Sequence, residues 1–268
     1  MLMGCVIMKQ QILKKQFLLG AAVGALAAVT PAFAAPPAPP PPAPIWTWTG
    51  FYAGGNIGYG WGQGAPTYNE PAFSGTLPTT LTGANNLSGV LGGFQIGYNW
   101  QLNNSWVTGL EADFDLADAK NSRSFGPFSE SEGAFTATLG SKIEWFGTVR
   151  ARLGWLFNPT TMVYATGGLA YGRVNVSGSF ADTFCSPTCV WGFNQSSTNV
   201  GWTVGGGVEG TFPNYWNLAN WTWKVEYLYV DLGSINGSGY DTDFGGPYTY
   251  NATFTDNILR FGVNWHFH

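Results

Sequence analysis

From Phe51 to the end of the chain, apolar and polar side chains alternate with period two, the signature of strands with two unlike faces. In FYAGGNIGYGW, Phe51, Ala53, Ile57, Tyr59 and Trp61 share one parity, and Asn56 and the glycines take the other. Phe94, Ile96, Tyr98 and Trp100 oppose Gln95, Gly97 and Asn99. Trp106, Leu110, Ala112, Phe114 and Leu116 oppose Gly109, Glu111, Asp113 and Asp115. The same rule sets Trp145, Val149, Ala151, Leu153 and Trp155 against Glu144, Thr148, Arg150 and Arg152. Val163, Ala165, Leu169 and Tyr171 form a fifth run, and Trp202, Val204 and Val208 a sixth, opposed by Thr203, Gly205 and Glu209. Trp221, Trp223, Val225, Tyr227 and Tyr229 oppose Lys224 and Glu226. Finally Leu259, Phe261, Val263, Trp265 and Phe267 oppose Arg260, Asn264 and His266. No stretch keeps helical spacing for long.

The connections between these eight runs alternate, about 5 to 10 residues and then about 20 to 28. Antiparallel strands so joined carry every long loop at one end of the sheet. Aromatic spacing decides which face meets lipid. Phe51 and Trp61 lie ten residues apart on one face, as do Trp145 and Trp155. Ten tilted residues rise about 25 Å, the height of an apolar band between two aromatic girdles. The aromatic parity therefore turns outward, and the sheet closes because an open edge in hydrocarbon leaves backbone groups unpaired. The expected fold is all-β: an eight-stranded antiparallel transmembrane β-barrel with four long external loops and short periplasmic turns.

Composition agrees. Only 10% of the 268 residues are charged, while 16% are aromatic and 38 are glycine. That balance excludes a disordered chain, and the formal charge of −4 with no basic cluster past the N-terminus excludes a nucleic-acid binder. By parity the inward charges are Glu111, Asp113, Asp115, Glu144, Arg150, Arg152, Glu209, Lys224, Glu226 and Arg260. Glu111 with Arg150, and Glu226 with Arg260, are expected to pair across neighbouring strands. An eight-stranded lumen is just wide enough for side chains to fill, so a paired polar core that blocks conduction is favoured over an ion pathway. Inward glycines leave room for water, which keeps slow leakage of very small solutes open.

The start of the chain reads as an address. Lys9, Lys14 and Lys15 precede an uncharged run, Phe17 to Val29, and Ala32-Phe33-Ala34 fits a cleavage site. Residues 1–34 are expected to be a cleaved signal peptide, 35–47 a Pro-rich periplasmic spacer and 48–268 the barrel. Removing the three lysines leaves 8 basic against 15 acidic groups, a net charge of −7.

Little in the sequence suggests catalysis. The two histidines, His266 and His268, both fall at the periplasmic end of the last strand, far from an external rim where a general base would work. No enzyme activity and no cofactor are expected. Cys185 and Cys189, in CSPTC of the third long loop, are expected to form a local disulfide. No histidine stands near them to complete a metal site.

Several blocks together carry a family likeness: WTGFYAGGNIGYGWG (Trp48 to Gly62), WFGTVRARLGW (Trp145 to Trp155), YATGGLAYG (Tyr164 to Gly172), GWTVGGGVEG (Gly201 to Gly210) and VEYLYVDLG (Val225 to Gly233). The chain resembles the small porin-like outer-membrane proteins of Gram-negative bacteria, the outer-membrane immunogenic, opacity-protein-like barrels. The resemblance implies a cell outer membrane location, a part in envelope integrity and surface contacts, and lipid and lipopolysaccharide as surroundings. It leaves open a narrow porin for small solutes, a loop-based receptor or adhesin (for hemin or a host surface), and an oligomer. Arg260-x-Gly262-x-x-Trp265-x-Phe267 resembles the C-terminal signal read by the barrel-assembly machinery, although His268 follows the final aromatic. That assigns assembly roles to Gly262, Trp265 and Phe267.

Overall fold

The computed structural model describes residues 46–71, 78–129, 133–183, 188–213, 218–241 and 246–267. The signal peptide and most of the spacer, Cys185 and His268 lie outside the described residues. Ten strands form in chain order: β1 (Gly50–Gln63), β2 (Thr67–Asn69), β3 (Thr80–Thr82), β4 (Leu87–Gln101), β5 (Trp106–Ser129), β6 (Ala134–Asn158), β7 (Thr161–Asp182), β8 (Cys189–Thr211), β9 (Trp221–Asp241) and β10 (Gly246–Phe267). Eight of them make a ring of antiparallel neighbours, β1-β4-β5-β6-β7-β8-β9-β10. Pairing of β1 with β10, from Phe51↔Phe267 to Gln63↔Thr255, closes it. Closure removes both sheet edges, which hydrocarbon would otherwise leave without partners.

The outward parity is as the aromatic spacing requires. Phe51, Ile57, Phe94, Val149, Leu169 and Phe261 are exposed around the wall, and Trp61, Trp106, Trp155, Trp202 and Trp265 stand among them toward the two ends. A belt of this kind is stable only against acyl chains.

Two features depart from the sequence reading. The strands run well past the girdles: β5 has 24 residues and β6 has 25. Much of each long connection is thus paired sheet, because alternation continues there with an apolar interior of Phe135, Ala137, Leu139 and Phe180. In the first connection β1 stops before Pro66, which has no amide to donate. β2 then takes its place beside β10, with Thr67 opposite Asn251, and β3 pairs with β2.

The second departure concerns Glu144, expected in the lumen. A bulge between Ile143 and Trp145 gives β6 an extra residue there. The bulge reverses the parity: Ile143 is buried, whereas the Glu144 side chain is 36% exposed and pairs with Arg173 at 3.1 Å. Glu144 lies on the outer wall because a bulge inserts one residue and swaps the faces beyond it.

Candidate functional site

The lumen is filled in levels, and β6 alone shows their order. From the periplasmic end it buries Leu156, then Arg152 and Arg150, then Phe146 and Ile143, then Leu139, Ala137 and Phe135. Apolar, ionic, apolar and aromatic levels follow one another.

The ionic level joins Glu111, Asp113, Asp115, Arg150, Arg152, Glu209, Lys224, Glu226 and Arg260, all buried. Glu111 and Arg150 are register partners on β5 and β6, and their side chains meet at 2.5 Å. Arg150 also donates to Asp113 at 2.8 Å and to Glu226 at 3.0 Å. Arg260 donates to Glu226, Asp115 and Asp113 at 2.7, 2.9 and 2.7 Å. Lys224 donates to both oxygens of Glu111 at 2.8 and 2.9 Å. Nearer the periplasm, Arg152 reaches Glu209 at 2.6 Å.

Neutral groups complete this network, and period-two reading gave them no role. The Tyr52 hydroxyl donates to Glu111 at 2.8 Å and the Tyr164 hydroxyl to Glu226 at 2.9 Å. Thr222 and Asn264 donate to Glu209 at 2.7 and 2.9 Å. The Arg152 guanidinium lies 4.1 Å from the centre of the Tyr164 ring, a cation–π contact. Buried charges at this density persist only when nearly every lone pair and proton has a partner.

Several inward glycines hold ring systems rather than water. A methyl group at Gly97 would overlap the Tyr52 ring, and one at Gly207 would stand 2.9 Å from the Tyr164 oxygen. Each glycine is the tyrosine's register partner on the adjacent strand, and its missing side chain lets the ring lie over that strand to reach a carboxylate on the next one.

Below the ions, the segment before β1 turns into the barrel mouth. Trp48 is wholly buried among Val107, Leu156, Met162 and Tyr164, and its indole donates to the Pro159 carbonyl at 3.1 Å. His266 stacks on Tyr52, with centroids 5.3 Å apart, and packs edge-on to Trp46 and Trp48. Its Nε2 stands 3.3 Å from the Thr222 hydroxyl. Trp48 keeps the inward parity of Tyr52, a signal already present in the sequence.

Above the ions comes an apolar level that includes Phe146, Val174, Leu228, Val230, Phe254 and Ile258. Farther out, rings fill the extension beyond the membrane: Tyr68 stacks on Phe193 at 5.9 Å and Phe193 on Tyr250 at 4.8 Å. Cys189 begins β8 and is disulfide-bonded; the proposed partner, Cys185, lies outside the described residues. Trp265 and Phe267 are outward and stacked at 5.7 Å, while Gly262 faces the lumen, with the side chains of Gln95 and of its register partner Lys224 lying over it.

A closed eight-stranded ring with a lipid-facing aromatic belt and a packed ionic interior defines a small outer-membrane barrel. Comparison with known proteins agrees: residues 25–267 match the outer membrane protein beta-barrel domain, and the chain belongs to that family. It is 37% identical over 227 residues to the 31 kDa outer-membrane immunogenic protein of Brucella melitensis, covering 82% of this chain and 84% of that one. It is 30% identical over 220 residues to the 22 kDa outer membrane protein of Rhizobium leguminosarum, covering 82% and 78% respectively. Among solved structures, the outer membrane protein OprG of Pseudomonas aeruginosa aligns over 82% of this chain and 97% of its own, with 9% identity and a TM-score of 0.43. The chain is an outer-membrane β-barrel protein.

Proposed function

We propose that this protein is a non-enzymatic, structural barrel that supports envelope integrity and offers its external extension to surface contacts. The observation that carries the reading is the filled interior: indole, ion network, aliphatic level and ring stack succeed one another along one short axis. A transport role favours a continuous polar path, whereas here a level of mostly apolar side chains, with the Asp256 carboxylate among them, interrupts it above the ions. A catalytic role favours polar groups convergent at the external rim, whereas His266 is buried at the opposite end. Such a rigid plug gives the strands a fixed shape and lets them stand beyond the membrane as paired sheet.

The test uses a strain lacking the protein. Its outer membrane is expected to admit a hydrophobic dye and to become detergent-sensitive, with rescue by the wild-type chain. Unchanged dye entry and detergent resistance, together with loss of uptake of one small solute, would overturn the structural reading in favour of transport.

A further inference from the structure

The eight basic residues that follow the expected signal peptide divide sharply in space. Arg150, Arg152, Lys224 and Arg260 are buried in the lumen. Three of the others, Lys120, Lys142 and Arg173, face outward on the adjacent strands β5, β6 and β7. They gather just beyond the external girdle. Leu116 and Trp145 are register partners at its edge, and Arg173 is the partner of Trp145 on the other side. Lys120 and Lys142 pair with each other about three residues farther out, a height of roughly 8 Å along tilted strands. That is headgroup depth. Farther out on the opposite wall, β2, β9 and β10 present Thr67, Asn69, Asn236, Ser238, Thr249 and Asn251, all neutral, and at girdle level β9 carries an acid, Asp231, beside Trp202.

We infer that Lys120, Lys142 and Arg173 form a docking site for the phosphate groups of an anionic outer-leaflet glycolipid. Like charges directly opposite on one sheet face repel, and Lys120 and Lys142 share a single carboxylate, Asp118, at 2.9 and 3.6 Å. With Glu144 on Arg173 at 3.1 Å, three cations meet two carboxylates. The excess of one positive charge at an exposed site attracts a further anion. Directly beneath, Phe114, Leu116, Trp145, Val149 and Leu169 form an apolar wall. A ligand with phosphate above and acyl chains below matches both parts, and long basic side chains extend along such a wall toward the headgroups. Cationic side chains at a membrane surface bind anionic headgroups in this way.

The test uses the full barrel refolded in detergent, with diphosphorylated lipid A as the probe. Dephosphorylated lipid A and phosphatidylglycerol serve as the comparison arms. The wild-type protein is expected to retain the diphosphorylated form best. Removing charges as K120Q, K142Q and R173Q is expected to weaken retention about 5-fold per charge. D118N, which removes the competing carboxylate, is expected to tighten it. Folding of each variant is checked by heat-modifiable gel migration, and K142Q alone carries the test where the triple variant does not refold. Equal retention by the variants, or of the dephosphorylated lipid, overturns the site. Retention of phosphatidylglycerol as strong as that of lipid A overturns the glycolipid assignment. Weaker binding by D118N that also needs divalent cations overturns direct phosphate contact.

Discussion

Arg260 on β10 and Glu226 on β9 are register partners whose side chains meet at 2.7 Å inside the lumen. Each belongs to a second pairing as well: Arg260 holds Asp113, and Glu226 accepts from Arg150. Four strands are thus tied through one ionic level, and removing any member leaves a buried charge without its partner. Truncation of a buried pair costs about 3–5 kcal/mol, far more than the net worth of the pair itself. Arg260→Gln is expected to destabilise the barrel by about that amount, read from urea unfolding in lipid vesicles. Glu226→Gln with Arg260→Gln should cost less than the two singles added. Strict additivity would argue against a coupled level.

Outer-wall ions give the control. Lys142 and Arg173 are roughly half exposed, and exposed pairs contribute about 0–1 kcal/mol. Lys142→Gln is expected to leave the unfolding midpoint nearly unchanged in the same assay. A loss equal to that of Arg260→Gln would place the stabilising charges on the wrong face.

Gly207→Ala sets a methyl group against the Val225 backbone carbonyl and, at 2.9 Å, the Tyr164 hydroxyl, which holds Glu226. Overpacking of this kind costs about 1–3 kcal/mol. The variant should therefore unfold earlier in urea, and Gly207→Ala combined with Tyr164→Phe should recover little, because the Val225 carbonyl and the ring itself still occupy the space. Full recovery would mean that the hydroxyl alone meets the methyl.

Trp48→Ala removes a wholly buried indole from the periplasmic mouth. Truncating a buried Trp costs about 3–5 kcal/mol. The variant is expected to be less stable yet still closed, since the ionic and apolar levels lie beyond it. Stability is measured by urea unfolding, and closure by the absence of current steps across a bilayer.

The period-two alternation makes the strand number, the outward face and most inward charges legible without coordinates, because each depends only on parity within a strand. Glu144 is not legible that way. A bulge changes parity without any change in residue type, and nothing in KIEWF marks it. Tyr52 and Tyr164 carry the inward parity, but a tyrosine reads equally well as girdle or as lumen. The apolar interior above the ions is legible only in part: Phe146 and Leu228 carry the inward parity of Arg150 and Glu226, but only the ring of neighbouring strands shows that such residues meet in one level. Trp48 lies outside any strand, so alternation alone does not reach it, although its parity continues that of Tyr52.

The seal across the lumen is most directly tested by single-channel recording of the refolded protein in a planar bilayer. A silent trace over a wide voltage range, from protein whose gel migration shows a closed barrel, is the expected result. Discrete, reproducible current steps from the same sample would contradict it, since they require a water-filled path past Arg150, Phe146 and Phe180.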